Sequence, residues 1–125
     1  MSLFRPWRIA ISLSLASLAG CAQAPGQAPA QGPAEAPPAF VYQLIARLES
    51  EATTNPPGSI WSYNYHGQVV YYVPPTCCDV PSELYDTEGK LICAPDGGLT
   101  GRGDGKCADF FAVRTEERRI WTDNR

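Results

Sequence analysis

Five cysteines and a single histidine are the residues of this 125-residue chain with the most distinctive chemistry. A cysteine can accept a lipid, form a disulfide, bind zinc or act as a nucleophile, and each use favours a different spacing. Four cysteines lie in the C-terminal half of the chain, at Cys77, Cys78, Cys93 and Cys107. The fifth, Cys21, stands apart near the N-terminus and needs a separate explanation.

Cys21 follows a segment with the pattern of an export signal. The first eight residues contain two cations and no acid, and a twelve-residue run of apolar and small residues leads to the cysteine. That run is shorter than the roughly 20 residues that span a bilayer, but it suits the core of a signal peptide. The sequence Leu18-Ala19-Gly20-Cys21 resembles the lipobox of bacterial lipoproteins, whose cysteine is acylated. We predict a lipoprotein signal peptide over residues 1–20 and lipidation at Cys21; the alternative is an ordinary secretory signal.

Acylation of Cys21 predicts a place in the bacterial cell envelope, with a membrane as partner and no transmembrane helix needed. Ala22 follows the cysteine. An aspartate there resembles the inner-membrane retention signal of Gram-negative lipoproteins, so its absence favours the outer membrane, with the domain facing the periplasm or the surface. The net charge of −3 gives no cationic surplus for phosphates, and we expect no nucleic-acid partner.

Residues 21–38 differ in composition from the rest of the chain. They are rich in alanine, proline and glutamine and contain no large apolar residue. Such a segment cannot bury enough surface to offset the entropy of ordering it. We predict a lipid-anchored tether that holds a globular domain, residues 39–125, away from the membrane.

The start of this domain predicts a helix that ends before the turn signal Asn55-Pro56-Pro57-Gly58. The residues that recur at helical spacing are Phe40, Val41, Leu44, Ile45 and Leu48. Further along, residues 83–86 and 90–93 predict a hairpin, residues 109–119 a short helix, and residues 120–121 a last strand. The pattern indicates an α+β fold, a small disulfide-stapled domain with one N-terminal helix packed on a short antiparallel sheet of hairpins.

The clearest hairpin pairs SIWSYNY with QVVYYV across the two-residue turn His66-Gly67. This turn places four aromatic side chains on one face of the hairpin, at Trp61, Tyr63, Tyr65 and Tyr72. Aromatic faces stack well on sugars, so these residues form a candidate site for cell-wall carbohydrate. The competing interpretation is that they pack in the core against the helix.

The even number of remaining cysteines predicts two disulfides, because exported small domains often need such staples. Three pairings of Cys77, Cys78, Cys93 and Cys107 are open. We favour the two that join Cys77 and Cys78 separately to Cys93 and Cys107, since a bond between adjacent cysteines closes a strained ring. The spacing matches neither the usual zinc pattern nor the Cys-x-x-Cys of thiol oxidoreductases.

Residues 96–109 form a loop in which five of fourteen residues are glycine. Asp96, Asp104 and Asp109 are candidate ligands for calcium, which prefers oxygen. The spacing does not match an EF-hand, and Arg102 and Lys106 oppose a cation. The favoured interpretation is that the aspartates cap turns and that the domain binds no cofactor.

Catalysis is not favoured by the residues available. The only histidine, His66, lies in the predicted turn, and cysteines in disulfides cannot act as nucleophiles. A pair of carboxylates such as Asp79 and Asp86 would suffice for a small hydrolase, and this remains the lesser alternative.

The C-terminal part of the chain resembles a family of uncharacterised bacterial envelope proteins, known as a domain of unknown function. The resemblance extends from about Ile60 to Arg125 and implies a secreted or lipid-anchored domain, with no reaction or ligand attached. Its pattern consists of Cys77-Cys78-Asp79, Ser82, Leu84-Tyr85-Asp86, Gly89, Cys93-Ala94-Pro95-Asp96-Gly97-Gly98, Gly101, Gly103-Asp104-Gly105, Cys107 and Asp109-Phe110. We therefore expect a structural or protein-interaction module displayed from a membrane, with envelope proteins or peptidoglycan as partners.

Overall fold

The computed structural model describes residues 35–77 and 79–125. It contains helix α1 and strands β1 to β4, followed by the short helix α2 and strand β5. Their bounds are α1 Ala39–Ser50, β1 Ser59–Tyr65, β2 Gln68–Val73, β3 Glu83–Tyr85, β4 Leu91–Cys93, α2 Phe110–Val113 and β5 Thr115–Thr122. The strands form one antiparallel sheet in the order β4-β3-β2-β1-β5. The predicted α+β class is confirmed.

The predicted signal peptide, the lipidation site Cys21 and most of the tether lie outside the described residues. Among residues 35–77 and 79–125, neither helix has the length and apolar character needed to cross a membrane.

The β1–β2 hairpin has the predicted register, with Tyr65 opposite Gln68 and Tyr63 opposite Val70. His66 and Gly67 both have positive φ, 51° and 79°, as a two-residue turn that follows the twist of the strands requires. The Asn64 side chain accepts a hydrogen bond from the Gly67 N–H at 3.0 Å. The turn fixes which residues share a face, because side chains alternate along each strand.

Both faces of the sheet are covered. On one face, Val41, Leu44 and Leu48 of α1 pack in a cluster with residues of β1 and β2. On the other, Phe110 of α2 and the cysteines Cys93 and Cys107 complete a second cluster. The sheet residues of the first cluster are Ile60, Tyr71 and Val73, and those of the second are Tyr63, Val70, Tyr72 and Leu84.

The helix predicted over residues 109–119 is wrong beyond Val113. Helix α2 has four residues, and the chain then continues as β5 from Thr115 to Thr122. β5 pairs with β1 along the sheet edge, and a register shift falls between Ser62 and Asn64 of β1. At this bulge Glu116 has φ of 55°, a left-handed conformation that is unusual for a residue with a side chain. Strand pairing therefore overrides the weak strand propensity of the charged sequence.

The favoured cysteine pairing is also wrong. Cys93 is bonded to Cys107, with their Cα atoms 6.3 Å apart. This bond joins the end of β4 to the segment before α2 and closes the glycine-rich loop. Neither cysteine is therefore available to Cys77 or Cys78, and Cys78 lies outside the described residues.

The C-terminal end of α1 is capped by a distant residue. The Arg125 guanidinium donates hydrogen bonds to the carbonyl oxygens of Glu49 at 2.6 Å and Leu48 at 3.2 Å. It also donates to the buried Asp123 carboxylate at 2.7 Å. The hydrogen bonds from the Arg125 side chain and backbone lower the pKa of Asp123 to about 2. Cations near a helix C-terminus satisfy carbonyls that lack a partner within the helix.

We expect the Asp123–Arg125 contact to make stability fall in acid. Because the pKa of Asp123 is lower in the folded chain than the ordinary value of about 3.9, the contact stabilises the fold above about pH 4 and is lost as the pH falls toward 2. Urea unfolding between pH 2 and pH 5 should show a shallower acid slope for Asp123→Asn than for the unchanged chain. Equal slopes would contradict this assignment, since the other carboxylates are common to both proteins.

Candidate functional site

The face of the sheet opposite α1 carries an aromatic cluster built around Phe110, which is completely buried. The Phe110 ring lies edge-on to Tyr63 and Tyr65, with centroids 5.5 and 5.4 Å apart, and 5.5 Å from Tyr72. The next residue, Phe111, contacts both Phe110 and Tyr72 from the solvent side. These contacts attach α2 and the loop before it to the hairpin.

The tyrosine hydroxyls of this cluster are paired with carboxylates. Tyr72 donates to Asp96 at 2.8 Å and Tyr63 donates to Glu117 at 2.9 Å. Burial and the hydrogen bond to Glu117 raise the pKa of Tyr63 to about 12, and burial with the hydrogen bond to Asp96 also raises the pKa of Tyr72. Both hydroxyls therefore stay protonated at neutral pH and serve as donors.

The candidate carbohydrate-binding residues have unequal exposure. Tyr63 and Tyr72 are 5% and 6% exposed, whereas Trp61 and Tyr65 are half-buried. Tyr63 and Tyr72 pack on Phe110, on the face opposite α1. Stacking of a sugar on these two rings would require α2 to move away.

The single histidine lies at the exposed rim of the same cluster. His66 Nε2 is 2.9 Å from Asp109 Oδ2, and the Tyr65 hydroxyl donates to Asp109 Oδ1 at 2.7 Å. The Tyr65 and His66 hydrogen bonds hold the pKa of Asp109 below its usual range. Asp109 therefore links the β1–β2 turn to the start of α2.

The three aspartates predicted as calcium ligands have separate partners. Asp96 accepts from Tyr72, Asp109 accepts from Tyr65, and Asp104 accepts from the Lys106 N–H at 3.0 Å. Within residues 35–77 and 79–125, no three His, Cys, Asp or Glu side chains are grouped to hold a metal ion. The Asp104 contact is the turn-capping arrangement that the sequence favours.

The other acidic pair, Asp79 and Asp86, lies in turns. Asp86 accepts hydrogen bonds from the N–H groups of Glu88 and Lys90, both at 2.9 Å, and so shapes the β3–β4 turn. Asp79 is exposed, in the segment between β2 and β3.

The glycine-rich loop is folded back against the end of β4. The Gly103 N–H donates to the Gly97 oxygen at 3.1 Å, and the Asp104 N–H donates to the Ala94 oxygen at 2.9 Å. Gly103 has φ of 63°, and a Cβ there would lie 1.7 Å from the Ala94 oxygen. Only glycine allows this approach.

One large apolar side chain of the loop, Leu99, points into solvent and is 89% exposed. It lies between loop segments that are fixed by the hydrogen bonds of Gly98, Gly101 and Gly103 and by the Cys93–Cys107 bond. The loop therefore presents a leucine from a defined backbone.

A family model described as a domain of unknown function, DUF6970, matches residues 46–123. The chain belongs to the DUF6970 family. The match contains the whole sheet, the disulfide and the glycine-rich loop, and it begins within α1. Neither the curated proteins nor the solved structures contain a significant match to the chain. The expectation of an uncharacterised family is confirmed, whereas its lipoprotein character stays a prediction.

From the sequence, Phe110 stands only in the family pattern, Arg114 is not singled out, and a place in the aromatic cluster is predicted for neither residue. Phe110 forms its centre, and the Arg114 guanidinium lies over the rings of Tyr63 and Phe111, 4.4 and 4.7 Å from their centroids. Such cation–π contacts stabilise partly buried arginines. The spacing of Phe110 and Arg114 could have indicated their contact, because residues four apart share a face of a helical turn.

Reduction of the Cys93–Cys107 disulfide should loosen the glycine-rich loop before the β1–β2 hairpin opens. The bond closes a loop with a sequence separation of 14 residues, and a bridge over about 15 residues contributes about 3 kcal/mol. Hydrogen exchange with and without reductant should show faster exchange first in residues 96–107.

In the matched double variant Cys93→Ser/Cys107→Ser, added reductant should leave loop exchange unchanged. Simultaneous loss of protection in the loop and the hairpin would contradict a locally acting bond.

Proposed function

We propose that this DUF6970 chain is a non-enzymatic envelope lipoprotein module that presents a rigid loop to another envelope protein. One observation carries the proposal: the disulfide-closed glycine-rich loop exposes Leu99 almost fully. An apolar side chain on a constrained backbone loses little conformational freedom on binding, which favours its use as an anchor. Buried apolar anchors account for much of the binding energy at protein interfaces.

The pairing of the acidic side chains supports a binding role over catalysis. Asp96, Asp109 and Glu117 each accept a hydrogen bond from a tyrosine of the aromatic cluster. A general acid or base must be free to reach a substrate. In this domain Asp96 holds the loop and Asp109 the start of α2 on the sheet, and Glu117 joins β5 to β1.

The test is a pulldown from detergent-solubilised envelope with the full-length protein as bait. We expect Leu99→Ser to lose the captured proteins, because it removes the anchor without changing the loop backbone. Leu91→Ser is the matched control, since Leu91 is 54% exposed on β4, outside the loop. Retention of the same proteins by Leu99→Ser, or their loss from both variants, would contradict a role for the loop.

The predicted lipid anchor has its own test. Cys21→Ser should yield an uncleaved or soluble exported protein, because a serine cannot receive the thioether-linked lipid. Fractionation of cells that express each form, followed by mass measurement of the N-terminal peptide, would show the difference. A variant that matures normally and still sediments with membranes would overturn lipidation at Cys21.

Binding of cell-wall carbohydrate is the alternative function, and its four residues are Trp61, Tyr63, Tyr65 and Tyr72. Calorimetric titration of the protein with peptidoglycan fragments tests it. Saturable binding that is lost in Trp61→Ala would favour carbohydrate over a protein partner.

A further inference from the structure

A cleft of about 290 Å³ lies at the C-terminal end of β5, far along the chain from the glycine-rich loop. The residues that line it are Arg119, Ile120, Trp121, Thr122 and Asn124. In the pairing of β5 with β1, Arg119 lies opposite Trp61 and Thr122 lies opposite Ser59. Side chains of paired residues share a face of a sheet, so these four lie together on the face opposite α1.

The Arg119 side chain brings a cation with free hydrogen-bond donors to this cleft. Its guanidinium lies over the Trp61 ring, 5.7 Å from the ring centroid, and the residue is exposed. Among the residues that the structure describes, none accepts a hydrogen bond from this guanidinium or forms an ion pair with it. Stacking occupies one face of the guanidinium and leaves the N–H groups at its edge available to an acceptor.

Trp61 is held in place beneath this arginine. The indole Nε1–H donates to the Ser59 hydroxyl oxygen at 3.0 Å, and the half-buried ring packs against the aromatic cluster around Phe110. The ring therefore gives Arg119 a fixed surface on which to lie. A side chain that is already positioned loses little conformational freedom when a ligand binds.

The same cleft contains a hydroxyl that lacks a partner. The Thr122 Oγ1 atom is buried, and no residue of the described chain hydrogen-bonds to it. A buried polar atom of this kind is unusual and calls for an acceptor or donor from outside the protein. The neighbouring Arg119 and Asn124 are exposed side chains, which change rotamer readily, so we expect their rotation to open a path to the hydroxyl.

The charges around the cleft favour a ligand with a single negative charge. Glu117 is engaged by the Tyr63 hydroxyl at 2.9 Å and lies 3.9 Å from the Arg114 guanidinium, whereas Glu116 is exposed. These two carboxylates would repel a multiply charged anion such as phosphate. A carboxylate carries one charge, and its two oxygens match two parallel N–H groups of an arginine.

We propose that this cleft binds the carboxylate of a small ligand, with Arg119 as the bidentate donor and the Thr122 hydroxyl as a further donor. Trp61 acts as a positioning residue for Arg119. Two sources offer this chemistry, an acidic sugar and the free C-terminus of a peptide. The inference does not depend on the proposed role of Leu99, which lies in the glycine-rich loop.

The experiment follows the Arg119 Nε–H and Trp61 Nε1–H signals of the ¹⁵N-labelled full-length protein by nuclear magnetic resonance. The acidic probes are N-acetylmuramic acid and N-acetyl-D-alanyl-D-alanine. Their neutral counterparts are N-acetylglucosamine, which lacks the lactyl carboxylate, and the dipeptide amide. We expect saturable shifts with an acidic probe and none with its neutral counterpart, and the probe that responds identifies the sugar acid or the peptide as the source.

Three outcomes of this titration would overturn the proposal. They are the absence of a response to both acidic probes, an equal response to an acid and its neutral counterpart, and an equal response to inorganic phosphate. Failure of the proposed protein-interaction role would appear separately, in the capture of envelope proteins by Leu99→Ser.

Substitutions at the cleft separate a bound carboxylate from a general effect of charge. Arg119→Gln should weaken binding by about tenfold or more, because a bidentate charged contact is lost. Arg118→Gln is the matched control: it removes the same charge from the neighbouring residue, whose Nε donates to Ser62 at 3.4 Å. Equal weakening in the two variants would contradict a specific site at Arg119.

Thr122→Val tests the unpartnered hydroxyl. The variant keeps the shape of the side chain, so carboxylate binding should weaken while the thermal unfolding temperature does not fall. Unchanged binding would contradict the role of this hydroxyl as a donor. For the positioning role, Trp61→Phe should bind more tightly than Trp61→Leu, since only phenylalanine keeps a ring beneath Arg119, and equal binding by both would contradict it.

Discussion

Gly103→Ala should destabilise the domain by more than about 3 kcal/mol, because two penalties act together. A Cβ at this position would lie 1.7 Å from the Ala94 oxygen, so the loop has to leave the end of β4. The displaced loop loses the hydrogen bonds of Gly103 and Asp104. The new side chain must also adopt a φ of 63°, which adds about 1–2 kcal/mol for an L-residue. Urea unfolding measures the change directly.

Gly105→Ala is the matched control. Gly105 has a similar φ of 76°, but nothing lies within 4 Å of the Cβ that alanine would add. We expect a loss of about 1 kcal/mol from the backbone conformation alone. Equal losses for the two variants would show that the loop does not depend on the close approach to Ala94.

Phe110→Ala should lower the free energy of unfolding by about 3–5 kcal/mol, the usual range for replacing a buried phenylalanine by alanine. Its ring is completely buried and contacts Tyr63, Tyr65 and Tyr72. Without it, α2 loses its attachment to the sheet and a cavity opens beside the disulfide. Thermal unfolding and the near-ultraviolet circular dichroism of the tyrosines should both report the change.

Phe111→Ala provides the comparison within the same helix. Phe111 is 44% exposed and contacts Tyr72 at the surface of the cluster. Phe111→Ala should lower the free energy of unfolding clearly less than Phe110→Ala does, because part of the Phe111 surface is already in water. A larger loss of stability in Phe111→Ala than in Phe110→Ala would show that Phe110 is not the centre of the aromatic cluster.

The β1–β2 hairpin could be predicted from the sequence down to its register. A two-residue turn leaves few arrangements for the strands beside it, and His66-Gly67 stands between two runs of aromatic and β-branched residues. Local signals of this kind depend on neighbouring residues alone. The α+β class follows from the same signals together with the helical spacing near Val41.

Strand β5 and the disulfide could not be predicted in this way, because both depend on distant partners. The segment Thr115-Glu116-Glu117-Arg118-Arg119 has charges suited to an exposed helix, and its strand state comes from pairing with β1. The Cys93–Cys107 bond likewise depends on how the glycine-rich loop returns to β4. For Asp109 the sequence predicted a role in capping a turn or in binding calcium. Its observed hydrogen-bond partners, Tyr65 and His66, lie more than forty residues away in the chain and could not be predicted from neighbouring residues.

The bulge at Glu116 affects the tendency of the chain to aggregate with copies of itself. Among the strands of the described residues, β5 is an outer strand of the sheet, and its far side offers backbone groups to which another strand could add. A left-handed residue and four consecutive charged side chains, from Glu116 to Arg119, interrupt that edge and make it a poor template for intermolecular sheets. The chain therefore gains resistance to aggregation from this one irregular strand.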